Sequence, residues 1–284
     1  MFYNMPEIIT TYLKQIILIW TNTLKDLSNL LVSTDAESAT VWNVMREISN
    51  SFSAIGATVL IICFLIGVIG SSGTLLDTRR PEHVVKLFFR FLLARFAITQ
   101  APNIMLTIFN WSKEIAGTAA KAGLTFTETM SIPEEVETAC EGISYLQSIL
   151  IITLCLIGML VVIVLSIMII LTVYGRIFKI YIYTAISPIP LASFGSISTS
   201  RVGKSFLRSY IGICMEAVMM ILVCIVFINI FNDQNGISFH IFSSGGEDAM
   251  SIIRDWLIKV IFYELLLFTM IKGTDRIVRE MMGG

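Results

Sequence analysis

Apolar positions are arranged in two ways along this chain: as a helical stripe near its start, and as long unbroken runs further on. Ile9, Leu13, Ile16, Trp20, Leu24, Leu27 and Leu31 recur every three or four residues, while Lys14, Lys25, Asp26 and Asn29 lie off the stripe. A helix turns once in 3.6 residues, so this spacing predicts an amphipathic helix with one apolar face. Such a face suits a membrane surface, a partner protein or the protein's own bundle, and periodicity does not choose among them. The opening MFYNMPEIITTYLKQ has no basic start, and no small-residue cleavage site follows it. It is therefore expected not to be a secretory signal.

The long runs have the length of membrane spans. A helix rises 1.5 Å per residue and needs about 20 residues to cross a hydrocarbon core about 30 Å thick. Residues 52–70 are free of charge, and so are all of 146–173. The second run exceeds the core thickness and must tilt or project. Residues 91–111 predict another span, entered through an interfacial turn that begins at Pro81 and carries His83, Lys86 and Arg90 on one face. Contact with anionic lipid headgroups suits that basic face better than nucleic acid. Pro102 is expected to kink the span. Residues 210–231 predict a fourth span and 252–271 a fifth; a surface helix is the alternative for the fifth, because it holds Arg254, Asp255, Lys259 and Glu264.

Between these runs, 112–145 is acidic and broken by Gly117, Gly123 and Pro133, which predicts an external loop with one or two short helices. Residues 177–195 are apolar, but Pro188 and Pro190 each lack an amide donor and disfavour a helical residue before them. Irregular backbone at membrane depth is tolerated only where protein covers it or it lines water. The segment therefore predicts a re-entrant element or a sharply broken, buried helix. The fold class expected is all-α: a polytopic membrane protein of about five transmembrane helices, with a proline-broken re-entrant segment and an N-terminal amphipathic helix. Residues 1–51 form the external N-terminal region and 52–284 the membrane domain.

Composition agrees. Apolar residues make up 55% of the 284 and charged residues 14%, against about 25% charged in soluble domains. Mean hydropathy is +0.80. These values exclude a disordered chain, a basic nucleic-acid-binding domain and a disulfide scaffold. Of five cysteines, four lie inside apolar runs, and only two histidines are present, His83 and His240. No catalytic set, cofactor site or metal site is expected.

Charge gives the sidedness. With the N-terminus outside and five crossings, the external segments hold 5 Lys or Arg and 14 Asp or Glu, and the internal segments 12 and 4. Cytoplasmic loops are the ones enriched in Lys and Arg, so the expected location is the cell membrane, with the C-terminus inside. The proline segment fits only if it turns back. Arg176 and Lys179 precede it, and Arg201, Lys204 and Arg208 follow it, with no acid on either flank. These five are the expected contacts to a cytoplasmic partner or to headgroups.

Ionisable residues within spans usually face a partner or an aqueous cavity, because a central charge is costly. Arg95, Glu216, Lys259 and Glu264 are expected either to specify helix packing or to line a path. Asp255 and Lys259 stand four apart and can pair on one helix; Glu216 and Glu264 can meet Lys259 or Arg95.

One further pattern runs from Arg176-Ile177-Phe178-Lys179-Ile180-Tyr181, through Ala185-Ile186-Ser187-Pro188-Ile189-Pro190-Leu191-Ala192, to Gly203-Lys204-Ser205-Phe206-Leu207-Arg208-Ser209-Tyr210. It resembles the TrbL family of polytopic membrane proteins of conjugative type IV secretion machines, in the form found on Gram-positive mobile elements. The likeness extends over about residues 50–280 and is strongest at 145–230. It implies a non-enzymatic scaffold or channel component that works with other secretion subunits, including a separate ATPase. It also implies an N-terminus outside. The further partners expected are anionic membrane lipids, which the basic faces suggest, a homo-oligomer of the chain, and the translocating DNA–protein complex only indirectly. Gly203-Lys204-Ser205 matches the tail of a phosphate-binding loop, but the first glycine would fall at Ser198 and no strand precedes it. The alternative function is a small secondary transporter or permease subunit that uses the broken helix and the intramembrane charges. No internal repeat supports it.

Overall fold

In the computed structural model, residues 5–33, 40–72, 81–123, 132–232 and 248–283 are described. They form α1 (Met5–Ser33), α2 (Thr40–Ser72), α3 (Pro81–Thr99), α4 (Ala101–Gly123), α5 (Glu134–Glu141), α6 (Tyr145–Ile186), α7 (Pro188–Ala192), a 3₁₀ turn (Ser193–Gly195), α8 (Ser200–Asn232) and α9 (Ala249–Met281). Among the described residues there is no strand, and the protein is an all-α, polytopic membrane protein. By length and composition, three helices can cross a membrane: Thr40–Gly70, Gln147–Ile186 and Ser200–Ile230. A fourth candidate is the pair Val85–Thr99 and Ala101–Gly123, bent by 72°. The polar stretch 232–251 and the middle of the acidic loop fall largely outside the described residues.

Several boundaries differ from the sequence expectation. The span placed at 91–111 is a bent pair. The ladder still runs through Gln100, whose amide reaches the Phe96 carbonyl at 2.9 Å. Pro102 has no amide to give Ile98, which frees the helix to turn there. Residues 112–123, expected in the loop, belong to α4, because Phe109, Ser112 and Ala116 continue its buried stripe. α5 is a short helix inside the acidic segment, as anticipated.

The proline segment differs most. Residues 177–186 continue α6, so that helix has 42 residues and spans about 63 Å at 1.5 Å per residue. Ser187 keeps helical angles (φ −49°, ψ −35°) despite the proline after it, and its hydroxyl donates to the Thr184 carbonyl at 2.7 Å. Pro188 and Pro190 then occupy the first turn of α7, where amides have no partner within the helix anyway. The prolines therefore break α6 and start a short buried helix, the second of the two expected outcomes, and the chain reverses only after it. The backbone leaves helical geometry at Ser196 (φ −131°, ψ 155°). α8 returns antiparallel to α6: Arg176 reaches Cys214, and further along α6 Tyr183 stacks on Phe206.

Contacts group the chain into two compact units. The first comprises Met1–Val32, Gly117–Tyr174 and Met219–Thr274. Every stripe residue of α1 from Ile9 to Leu31 is buried there, and Trp20 meets Phe227 edge-on at 5.6 Å between ring centroids. Phe227 in turn meets Tyr263 of α9 at 6.1 Å. The amphipathic face is thus covered by the protein itself, and this settles the choice that periodicity leaves open. Burying seven large apolar side chains contributes about 1.5–3 kcal/mol each before entropy is charged against it.

The second unit comprises Ser33–Ala116, Gly175–Val218 and Asp275–Gly284. Trp42, Met105, Phe109, Tyr181, Leu191 and Tyr210 are prominent in its core, and the Tyr210 hydroxyl donates to the Met105 carbonyl at 2.9 Å. α2 lies against α7 so closely that a β-carbon on Gly56 would stand 2.8 Å from the Pro188 carbonyl oxygen.

Candidate functional site: a charged cleft in the second unit

Within the second unit, α6, α8 and α9 enclose a cleft of about 560 Å³. Its cations come from one helix each: Lys179, Arg208 and Arg279. Its acids are Glu216 and Asp275. Hydroxyls of Ser205 and Ser209 line it, and the Tyr183 ring forms part of the wall, stacked on Phe206 at 5.3 Å. Gly212 and Gly283 sit where α8 nears the end of α9, and Gly283 has the left-handed angle (φ 71°) that glycine adopts without cost.

Helical spacing accounts for the cleft. On α9, Leu267, Ile271, Thr274 and Val278 are buried and continue a three-four stripe past residue 271. That stripe turns Asp275 and Arg279 onto the neighbouring face, where the Arg279 Nη2 lies 2.9 Å from the Asp275 carboxylate. Glu216 is 4% exposed, and its carboxyl is close enough to Asp275 to share a hydrogen bond. Burial alone would raise the Asp275 pKa. Hydrogen bonds from Glu216 and Arg279, with the charges of Lys179 and Arg279, hold it below its ordinary 3.8. Arg176 is 3% exposed; its Nη1 stands 3.5 Å from the Cys214 carbonyl oxygen, and its Nε has no partner among the described residues. Three lining cations against two carboxyls leave the cleft net positive, which suits an anionic group.

The structure brings Lys179, Arg208 and Glu216 together and places the other expected residues elsewhere. Arg201 and Lys204 are exposed on the first turns of α8, Pro188 is buried and Pro190 half-buried in α7, and Arg95 is exposed on α3. Lys259 does not pair with Asp255. Asp255 binds its neighbour Arg254 at 2.9 Å, and the Lys259 amine lies 6.0 Å from the Tyr263 ring centroid. Glu264 is 0% exposed and meets neither cation; it accepts from the Ser166 hydroxyl at 2.9 Å, inside the first unit. The residues that sequence reasoning missed are Asp275, Arg279, Ser205, Ser209 and Tyr183. The stripe continuing to Val278 is the signal that would have found the first two.

A family model described as TrbL/VirB6 plasmid conjugal transfer like protein matches residues 21–188. No curated protein and no solved structure matches. The matched segment ends at Pro188, so the Gly203–Tyr210 stretch and most of the cleft lie beyond it. Because it nonetheless takes in more than half of the 284 residues, the chain belongs to the TrbL/VirB6 plasmid conjugal transfer-like family.

Proposed function

We propose that this protein is a non-enzymatic scaffold or channel subunit of a conjugative type IV secretion machine, one that helps move a DNA–protein substrate across the cell membrane. The family match over residues 21–188 carries this reading. In it the chain crosses five times, with its N-terminus outside and its C-terminus inside. The excess of Lys and Arg on alternate segments supports that orientation. Energy comes from a separate ATPase, docked on the basic stretch 196–208 and on the net positive cleft beside it. Arg201, Lys204 and Arg208 are all exposed, as a docking face requires. Buried Glu216 and Arg176 then fix helix packing around the cleft, and anionic lipids and further copies of the chain complete the surroundings.

The test is genetic. Donor cells lacking the gene are expected to lose conjugative transfer and regain it with the wild-type copy. A copy carrying Arg201→Glu, Lys204→Glu and Arg208→Glu should insert in the membrane yet fail to restore transfer. A photocrosslinker within 196–208 should capture the ATPase. Transfer that is unchanged by the deletion would end the proposal.

A further inference from the structure

A second cleft in the second unit, of about 580 Å³, lies where the end of α2, the start of α3 and the 196–198 turn meet. Its wall is two-faced. Ile66, Leu87 and Ile197 are apolar, whereas Lys86 and Arg90 sit four apart on one face of α3 and bring two cations. Ser196 and Ser198 add hydroxyls that lie 2.9 Å apart. Each hydroxyl has one proton, and their mutual bond uses one of the two, so one O–H is left to donate outward. Among the described residues no acid lines the cleft. The floor depends on glycine: a β-carbon on Gly67 would stand 2.8 Å from the Ser196 hydroxyl, whereas one on Gly70 would meet nothing within 4 Å.

The apolar wall runs on into exposed apolar surface. Ile62, Ile69, Phe89 and Leu93 on α2 and α3 are all more than half exposed. In a polytopic membrane protein such a surface faces acyl chains. A pocket with cations and hydroxyl donors at one end and an open apolar face leading away from it has the two-part chemistry of an anionic phospholipid.

We propose that this cleft is a binding site for one anionic phospholipid. Lys86, Arg90 and the Ser196–Ser198 pair hold the phosphate, and the acyl chains lie along the exposed face of α2 and α3. A soluble phosphate would use the same cations but gain nothing from that face. The inference rests on the chain being a membrane protein, and not on its role in conjugation.

The test uses the full chain, purified in neutral detergent and supplied with phosphatidylglycerol, phosphatidylcholine or glycerol 3-phosphate, with bound lipid read by native mass spectrometry. The wild type should retain one phosphatidylglycerol per chain and little phosphatidylcholine, and glycerol 3-phosphate should not displace the lipid. Lys86→Gln with Arg90→Gln should weaken retention about tenfold or more, as the loss of two headgroup cations implies. Gly70→Leu fills the cleft from its open side with both cations intact, and replaces glycine by a better helix former. It should weaken retention as strongly while leaving thermal stability in neutral detergent unchanged or slightly raised. Arg201→Gln with Lys204→Gln should leave retention as in the wild type. Equal retention of both lipids, displacement by glycerol 3-phosphate, or full retention in either cleft variant would overturn the proposal. Failure of the chain to fractionate with membranes would instead overturn the reading beneath it. A gene that proved dispensable for conjugation would leave the lipid result standing.

Discussion

The two units bury charge and pack helices by different means. The first is closed by interdigitating side chains: Trp20, Phe227 and Tyr263 form an aromatic relay, and the atoms nearest a β-carbon on Gly158 are those of the flexible tip of Leu257. Its buried carboxyl, on Glu264, has one hydroxyl partner, and its second oxygen has none among the described residues. The second unit brings backbones together, at Gly56 against Pro188, and gathers five charged residues, buried Glu216 among them, into a shared cleft. Side-chain packing relaxes when one atom is added and suffers when a large group is removed. Backbone contact behaves in the opposite way. The first unit should therefore be sensitive to truncation and the second to enlargement.

The largest test of that contrast is Trp20→Ala, which empties the aromatic relay and should cost about 3–5 kcal/mol, read as a lowered Tm in detergent. Gly56→Leu forces a side chain into the Pro188 carbonyl and should cost about 3 kcal/mol by the same measurement. Gly158→Ala, against a side chain that can shift, should stay within about 1 kcal/mol. If the two glycine variants behaved alike, the distinction between the units would collapse.

Smaller effects sharpen the comparison. Ser166→Ala removes the partner of the Glu264 carboxyl and should cost about 1–3 kcal/mol, the penalty for a buried polar group left unpaired. Two groups outside the spans give pH signatures. Burial, and secondarily the charge of Glu137, push the Cys140 thiol up to about 11. The unfolded chain ionises first, so stability is intact below the ordinary 9.0 and declines as pH rises through about 11. Maleimide labelling of Cys140 at pH 8 should be slow until the fold opens. Asp275 has the opposite sign. Its folded pKa lies below 3.8, so its contribution is complete above that value and lost as pH falls through the folded one. Asp275→Asn should flatten the acid limb of the melting curve slightly, because the carboxylate is partly exposed.

Periodicity was most informative where one face decides everything. The seven stripe residues of α1 are all buried, with Thr23 beside them, and its charged residues point outward. The long spans were legible because charge is absent from them. Turning points were less so. Pro188 and Pro190 imply a break, but a proline in a first helical turn costs nothing, and only the surrounding contacts decide whether a helix ends or begins there. The end of α9 was hidden because Thr274 continues an apolar stripe as a polar residue. The pairing of Glu216 with Asp275, 59 positions apart, required three helices to be placed first. No local spacing encodes it.

The five cysteines are unpaired and all buried. This makes the native chain a ready background for mapping which face of the bilayer each loop occupies. A single cysteine placed at an exposed position, Arg201 for instance, should react with a membrane-impermeant reagent far faster than any native thiol. Sidedness can then be read one position at a time without first stripping the protein of its own sulfur.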